Sequence, residues 1–160
     1  MRVSESREAK DRELRALQAA LAAEHAAVYG YGVVGGRIGK DRRTEARTAY
    51  DAHRARRDAL VRAVKDAGGA PVAAAAGYAL PFPVPDAAAA AVRLAAELED
   101  RVAGVYADLV RASGGEQRRG AAEAMREAAV RSVRWSGESV AFPGLAERGG
   151  TASGSPAPTA

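Results

Sequence analysis

Glu24 and His25 stand side by side in LQAALAAEHAAVYGYGVVGG, a run otherwise made of small, apolar and aromatic residues. A carboxylate or an imidazole turned into a packed interior needs a charge partner, hydrogen bonds or a metal ion. At about 100° per residue, a helix here places Leu14, Leu17, Leu21, Glu24, Val28 and Tyr31 on one stripe. Glu24 therefore lies in the seam, while His25 lies to one side and is expected to be partly exposed. A second periodic segment carries Ala46, Ala49, His53, Leu60 and Val64 inward, with Arg57 on the edge. A third has Leu94, Leu98, Val102, Val105 and Leu109 as its main stripe, widened by Tyr106 and Val110, and Glu99 falls on the widened side. Glu97 faces away, flanked at helical spacing by Arg93 and Arg101 in a surface ion-pair pattern. Glu99 is thus the preferred inward carboxylate and Glu97 the alternative. The spacing from Glu99 to Tyr106 repeats that from Glu24 to Tyr31, a hint of two related hairpins.

Two chemistries fit these residues. Glu24, His53 and Glu99 have the donor types for one Fe, Mn or Zn ion or for an acid–base cluster, with Glu97 and Tyr50 as secondary candidates. Alternatively, Glu24, Tyr31, Tyr50, His53 and Arg57 form a buried polar network that fixes how the helices pair. The second reading is favoured, because every one of these partners is within plausible reach of Glu24. The fourth periodic segment offers Ala121, Ala122, Met125, Ala128, Ala129, Ser132 and Ser136 inward, with Glu123 and Glu127 outward and no histidine. It supplies no ligand.

The elements that must position these side chains are helices. Hydrophobic residues make up 48% of the 160-residue chain but aromatics only 5%, so the core is built from Ala, Val and Leu. Ala has the best helix propensity, and no segment alternates as a strand would. The expected fold is all-α, a single bundle over 11–148 between a flexible N-terminus at 1–10 and a disordered Gly/Ser/Pro-rich tail at 149–160. Helices are expected over about 11–34, 42–66, 86–113 and 116–135, with fraying or a bend at Gly35-Gly36, Asp86 as an N-cap, and Phe142 and Leu145 packing across one end. Short polar turns suit antiparallel hairpins between the first and second and between the third and fourth helices. The link GGAPVAAAAGYALPFPVPD is long and proline-rich. Its alternation of Tyr78, Leu80, Phe82 and Val84 with smaller residues predicts an extended ribbon crossing the whole bundle, so that helix three starts parallel to helix two.

The absence of cysteine excludes disulfides and thiolate metal sites. The charged opening MRVSESREAKDREL lacks the apolar core of a signal peptide, and no apolar run is long enough to span a bilayer. The cytoplasm is the expected compartment. A net charge of +4 invites nucleic-acid binding through the Arg-rich face around HRARR, but Arg and Asp/Glu alternate along the helices as on an ordinary solvated surface. Nucleic acid is therefore the weakest of the partner readings.

The segments ALQAALAAEHAAVYGYGVVGG, AYDAHRARRDAL, GYALPFPVPD and RWSGESVAFPGL together resemble the ferritin-like superfamily, and more narrowly a small bacterial ferritin-like domain family of unknown function. The resemblance implies a four-helix bundle of two antiparallel hairpins joined by a crossover between helices two and three. The superfamily's di-iron site uses a Glu from each of two helices and a Glu-x-x-His from each of the others. By resemblance, Glu24 matches the first-helix Glu, His53 the second-helix His, and Glu99 or Glu97 the third-helix Glu. Tyr50 stands where the second-helix motif has Glu, and the fourth-helix pair has no counterpart. The expectation is a degenerate metal site with no resident cofactor, in a non-catalytic protein that acts by protein–protein contact, as a homodimer or with another protein. The alternative is a mononuclear metal-binding or oxidase-like protein using Glu24, His53 and Glu99.

Overall fold

The computed structural model describes residues 2–137. Four helices account for most of them: α1 (Arg2–Arg37), α2 (Arg43–Asp66), α3 (Ala88–Ala112) and α4 (Gly115–Ser136), with a 3-10 turn at Lys40–Arg42 between α1 and α2. No strand occurs among the described residues, and the packing is that of an all-α four-helix bundle. No helix among them is long and apolar enough to cross a membrane.

Helix α1 is longer than its apolar pattern predicts. It begins at Arg2, well before the expected start near Asp11, and continues through Gly35 and Gly36 to Arg37. The residues before Leu14 are almost wholly exposed, so their helix is carried by local propensity and not by core contact. The expected N-cap at Asp86 is corrected as well: α3 starts two residues later, with Ala87 as its N-cap residue and no side-chain cap. Helix α4 ends at Gly137, whose φ of 76° is the left-handed conformation that lets its N–H return to the Val133 carbonyl at 2.7 Å. Phe142, Leu145 and the proposed tail lie outside the described residues.

The crossover between α2 and α3 runs along α1. Gln18 clamps its start, donating to the Ala70 carbonyl at 2.5 Å and accepting from the Val72 N–H at 2.9 Å. Further on, the rings of Tyr29 and Tyr78 meet with centroids 5.7 Å apart, and Leu80, Phe82 and Val84 pack half-buried on the bundle. The alternation expected of Tyr78 to Val84 therefore positions one apolar face inward. Ala91 and Leu94 near the start of α3 share one apolar cluster with Ala46 and Ala49 near the start of α2, so the two helices start at the same end of the bundle and run parallel.

Two apolar clusters fill the bundle. One gathers Leu17, Leu21, Leu60, Val64 and Leu109; the other gathers Tyr31, Val34, Ile38, Leu94, Leu98 and Trp135. The inward stripe of α2 is Ala46, Ala49, His53, Leu60 and Val64, as its period predicts. In α1, Ala27 is buried where Val28 was expected. In α4 the face is rotated: Ala124 and Trp135 are buried, while Ala122, Met125 and Ala129 are half-buried and Ser136 is exposed. Seating the large indole of Trp135 sets that phase, since burying it outweighs any arrangement of alanines.

The glycines of α1 differ in what they do. A Cβ on Gly30 would lie 2.5 Å from Leu98 Cδ1, so this position sets how closely α1 and α3 approach, whereas a Cβ on Gly32 or Gly35 meets nothing within 4 Å. Gly30→Ala is expected to lower stability by about 1–2 kcal/mol, overpacking against Leu98 exceeding the helix-propensity gain. Gly35→Ala is expected to raise it by up to about 1 kcal/mol. Urea unfolding of the two variants beside the parent checks the pair, and equal signs would contradict the packing assigned to Gly30.

Candidate functional site

Between the two apolar clusters lies a layer of buried polar side chains contributed by all four helices. Glu24 and Tyr31 come from α1, His53 from α2, Glu99 and Tyr106 from α3 and Trp135 from α4; none is more than 4% exposed. His53 sits at the centre. Its Nδ1 is 2.6 Å from Glu24 Oε2 and its Nε2 is 3.1 Å from Glu99 Oε1. Tyr106 donates to Glu24 Oε1 at 2.7 Å, Tyr31 donates to Glu99 Oε1 at 2.5 Å, and Trp135 Nε1–H donates to the Tyr31 hydroxyl at 2.9 Å. The Tyr31 ring also stacks on the imidazole, centroid to centroid 5.2 Å.

The hydrogen bonds cross in a reciprocal way. Glu99 and Tyr106 lie 75 residues beyond Glu24 and Tyr31, and the tyrosine of each helix serves the glutamate of the other. The same offset carries His53 onto Ala128, which is buried in α4. The two hairpins are thus related in pattern, but the imidazole is present once. Glu24 has both oxygens hydrogen-bonded, whereas Glu99 Oε2 has no hydrogen bond among the described residues and only a long ion pair, 3.8 Å, from Arg131 Nη1. From Arg131 an ionic path leads outward to Glu127 at 3.6 Å and on to Arg56, 3.0 Å from Glu127.

Electrostatics fixes the protonation of the centre. Burial alone would lower the His53 pKa, but hydrogen bonds to Glu24 and Glu99 and the charges of both carboxylates overcome it and raise the value to about 9. Near neutral pH His53 is an imidazolium donating from both ring nitrogens, and with Arg131 it balances the two carboxylates. Burial, reinforced by Glu99 for Tyr31 and by Glu24 for Tyr106, pushes both phenols well above their ordinary range, so both remain donors.

Of the residues singled out in the sequence, Glu24, Tyr31, His53 and Glu99 come together. Tyr50 does not: it is half-buried and carries Arg54 over its ring at 5.7 Å. Arg57 pairs with its neighbour Asp58, and Glu97 pairs with Arg101 on the surface. His25 lies to the side, 3.0 Å from the Val72 carbonyl, where it helps hold the crossover. Tyr106 and Trp135 join the layer instead. The repeated Glu–Tyr spacing was the signal for Tyr106, and for Trp135 it was the presence of a single tryptophan on an alanine-rich helix.

A di-iron centre does not fit this donor set. α4 presents Ala128 and Ser132 to the interior, both ring nitrogens of His53 are engaged, and three of the four carboxylate oxygens already accept hydrogen bonds. The three groups form a chain with the histidine in its middle, and no set of three or more His, Cys, Asp or Glu side chains among the described residues is arranged to hold a metal ion.

Residues 16–147 match the model of a domain of unknown function, DUF4439. The chain is also similar to a conserved hypothetical protein, rv2844, from Mycobacterium tuberculosis, known from a crystal structure. The two are 36% identical with a TM-score of 0.76, over 78% of this chain and 95% of that one. No curated protein matches.

Proposed function

This chain belongs to the DUF4439 family, and from that premise we propose that it is a non-catalytic, ferritin-like helical bundle whose degenerate metal position serves to lock the helices, and which acts through protein–protein contact. The observation that carries the reading is His53, held as a cation between Glu24 and Glu99 with its two nitrogens committed and its surroundings sealed by Tyr31, Tyr106 and Trp135. No substrate atom reaches such a group without first breaking the layer, so it supports a structural role better than an acid–base one. Contact with a protein, a second copy of this chain included, is supported by the groove of about 780 Å³ between α1 and α3, where Ala26, Leu98 and Val105 lie beside Tyr29 and Tyr78. Tyr29 is 41% exposed although Tyr78 meets one side of its ring, which leaves apolar surface open at the groove.

A single divalent ion is the second reading, favoured by the buried Glu99 Oε2 that lacks a hydrogen bond. It requires His53 to release a proton and one of its carboxylate bonds, so binding would be opposed below the His53 pKa. Elemental analysis of protein purified without chelators, followed by aerobic ferrous titration, separates the two. The expected result is metal far below one ion per chain and no oxygen uptake. One ion per chain, lost in His53→Ala, together with oxygen turnover would replace the first reading by the second. Light scattering with Ala26→Arg as comparison tests the contact: self-association by the parent and not by the variant is expected if the partner is a second copy.

A further inference from the structure

A second groove, of about 730 Å³, lies at the other face of α1, where the α1–α2 hairpin turns. Its rim carries Lys40, Arg43 and Arg47, its floor is Gly32 and Gly35, and among the described residues no carboxylate lines it. Among the described residues Arg47 pairs with Asp51, whereas neither Lys40 nor Arg43 has an ion-pair partner. The Thr44 hydroxyl in the same wall is likewise uncommitted there. Arg43 lies in the first turn of α2, where a cation opposes the helix dipole, and the one carboxylate of that turn, Glu45, is taken up by Arg42. The floor tells the same story. Glycine weakens a helix interior, and nothing in the packing requires it at Gly32 or Gly35, since a Cβ at either would enter open space.

We propose that this groove binds a phosphorylated small molecule, its phosphate held by Lys40, Arg43 and Thr44 and its organic part lying on the glycine floor against Tyr50. The concavity and volume suit a small-molecule site, whereas an extended polyanion would need a longer basic stripe. The groove is separate from the α1–α3 groove, and its occupancy does not depend on the protein-contact reading.

Calorimetric titration of the full chain with pyrophosphate and with ATP, against sulfate at equal ionic strength, tests the proposal. Saturable binding of one molecule per chain is expected, weakened at least tenfold by the surface variant Lys40→Ala/Arg43→Ala and by Gly32→Leu, which fills the floor. Circular dichroism of both variants should match the parent, and neither should melt below it, Gly32→Leu gaining helix propensity. ATP should bind tighter than pyrophosphate, and equal affinities would overturn the contact assigned to the floor and Tyr50. Binding that survives Gly32→Leu, a single-stranded oligonucleotide that displaces pyrophosphate and binds that variant equally, or no saturable binding of either probe overturns it.

Discussion

Replacing His53 by leucine is expected to destabilise the protein by roughly 3–5 kcal/mol, the cost of removing one partner from a buried ionic cluster. Leucine fills a similar volume, so the loss is not one of packing. It arises because Glu24 Oε2 and Glu99 Oε1 lose the donor between them while remaining buried at 1% and 0% exposure. Two carboxylates then face each other, and among the described residues the cation that remains paired with them is Arg131, 3.8 Å from the far oxygen of Glu99. Urea unfolding followed through Trp135, whose indole touches Tyr31, measures it directly. A second variant separates ionic from steric effects. Leucine at Glu24, His53 and Glu99 together, with Tyr106→Phe to avoid a stranded hydroxyl and Tyr31 kept as the acceptor of the Trp135 N–H, should cost less than His53→Leu alone, since all three central charges leave at once and Arg131 keeps Glu127. A single variant within about 1 kcal/mol of the parent would show that the layer does not act as an ionic lock.

How far these residues could be read from sequence depends on what decides their direction. On α2 one stripe of small and branched residues is bounded by arginines, so helical phase alone put His53 inward, and Ala46, Ala49, Leu60 and Val64 with it. Glu24 and Glu99 were legible for the same reason. The errors fall where phase is ambiguous. Helix α4 has alanines on several faces, and only the packing of Trp135 against Tyr31 and Arg42 selects Ala124 over Ala122. Tyr50 and Arg57 flank the inward stripe of α2 closely enough to serve Glu24 on a helical wheel, yet the nearer claim came from Tyr106 on α3. Which tyrosine reaches which carboxylate is set by the approach of α1 to α3 at Gly30, a distance between helices that periodicity within one helix does not contain. The start of α1 was misplaced for a different reason: residues 2–10 have helix propensity but no apolar stripe to announce it.

The stability of the protein is expected to fall by about 3 kcal/mol as the pH rises through the interval from about 6.5 to above 9. In the unfolded chain His53 titrates near the ordinary value of about 6.5, and in the folded layer Glu24 and Glu99 raise it to about 9 despite burial. The folded state therefore binds more protons than the unfolded state anywhere between these values, and stability must decline with increasing pH there. The contribution is complete below the unfolded value and is lost on passing the folded one. An imidazole that loses its second proton still keeps one hydrogen bond, but it leaves Glu24 or Glu99 facing a nitrogen lone pair at 2.6 or 3.1 Å. Tyr31 and Tyr106 do not compensate, because burial and the same carboxylates keep their hydroxyls protonated beyond this range. Urea midpoints at half-unit steps between pH 6 and 9.5 give the profile. His25→Ala should retain the decline, since His25 lies outside the layer beside the Val72 carbonyl, while His53→Leu should abolish most of it. A flat or rising profile in the parent would mean that His53 is neutral in the folded state, and the charge balance assigned to the layer would have to be given up.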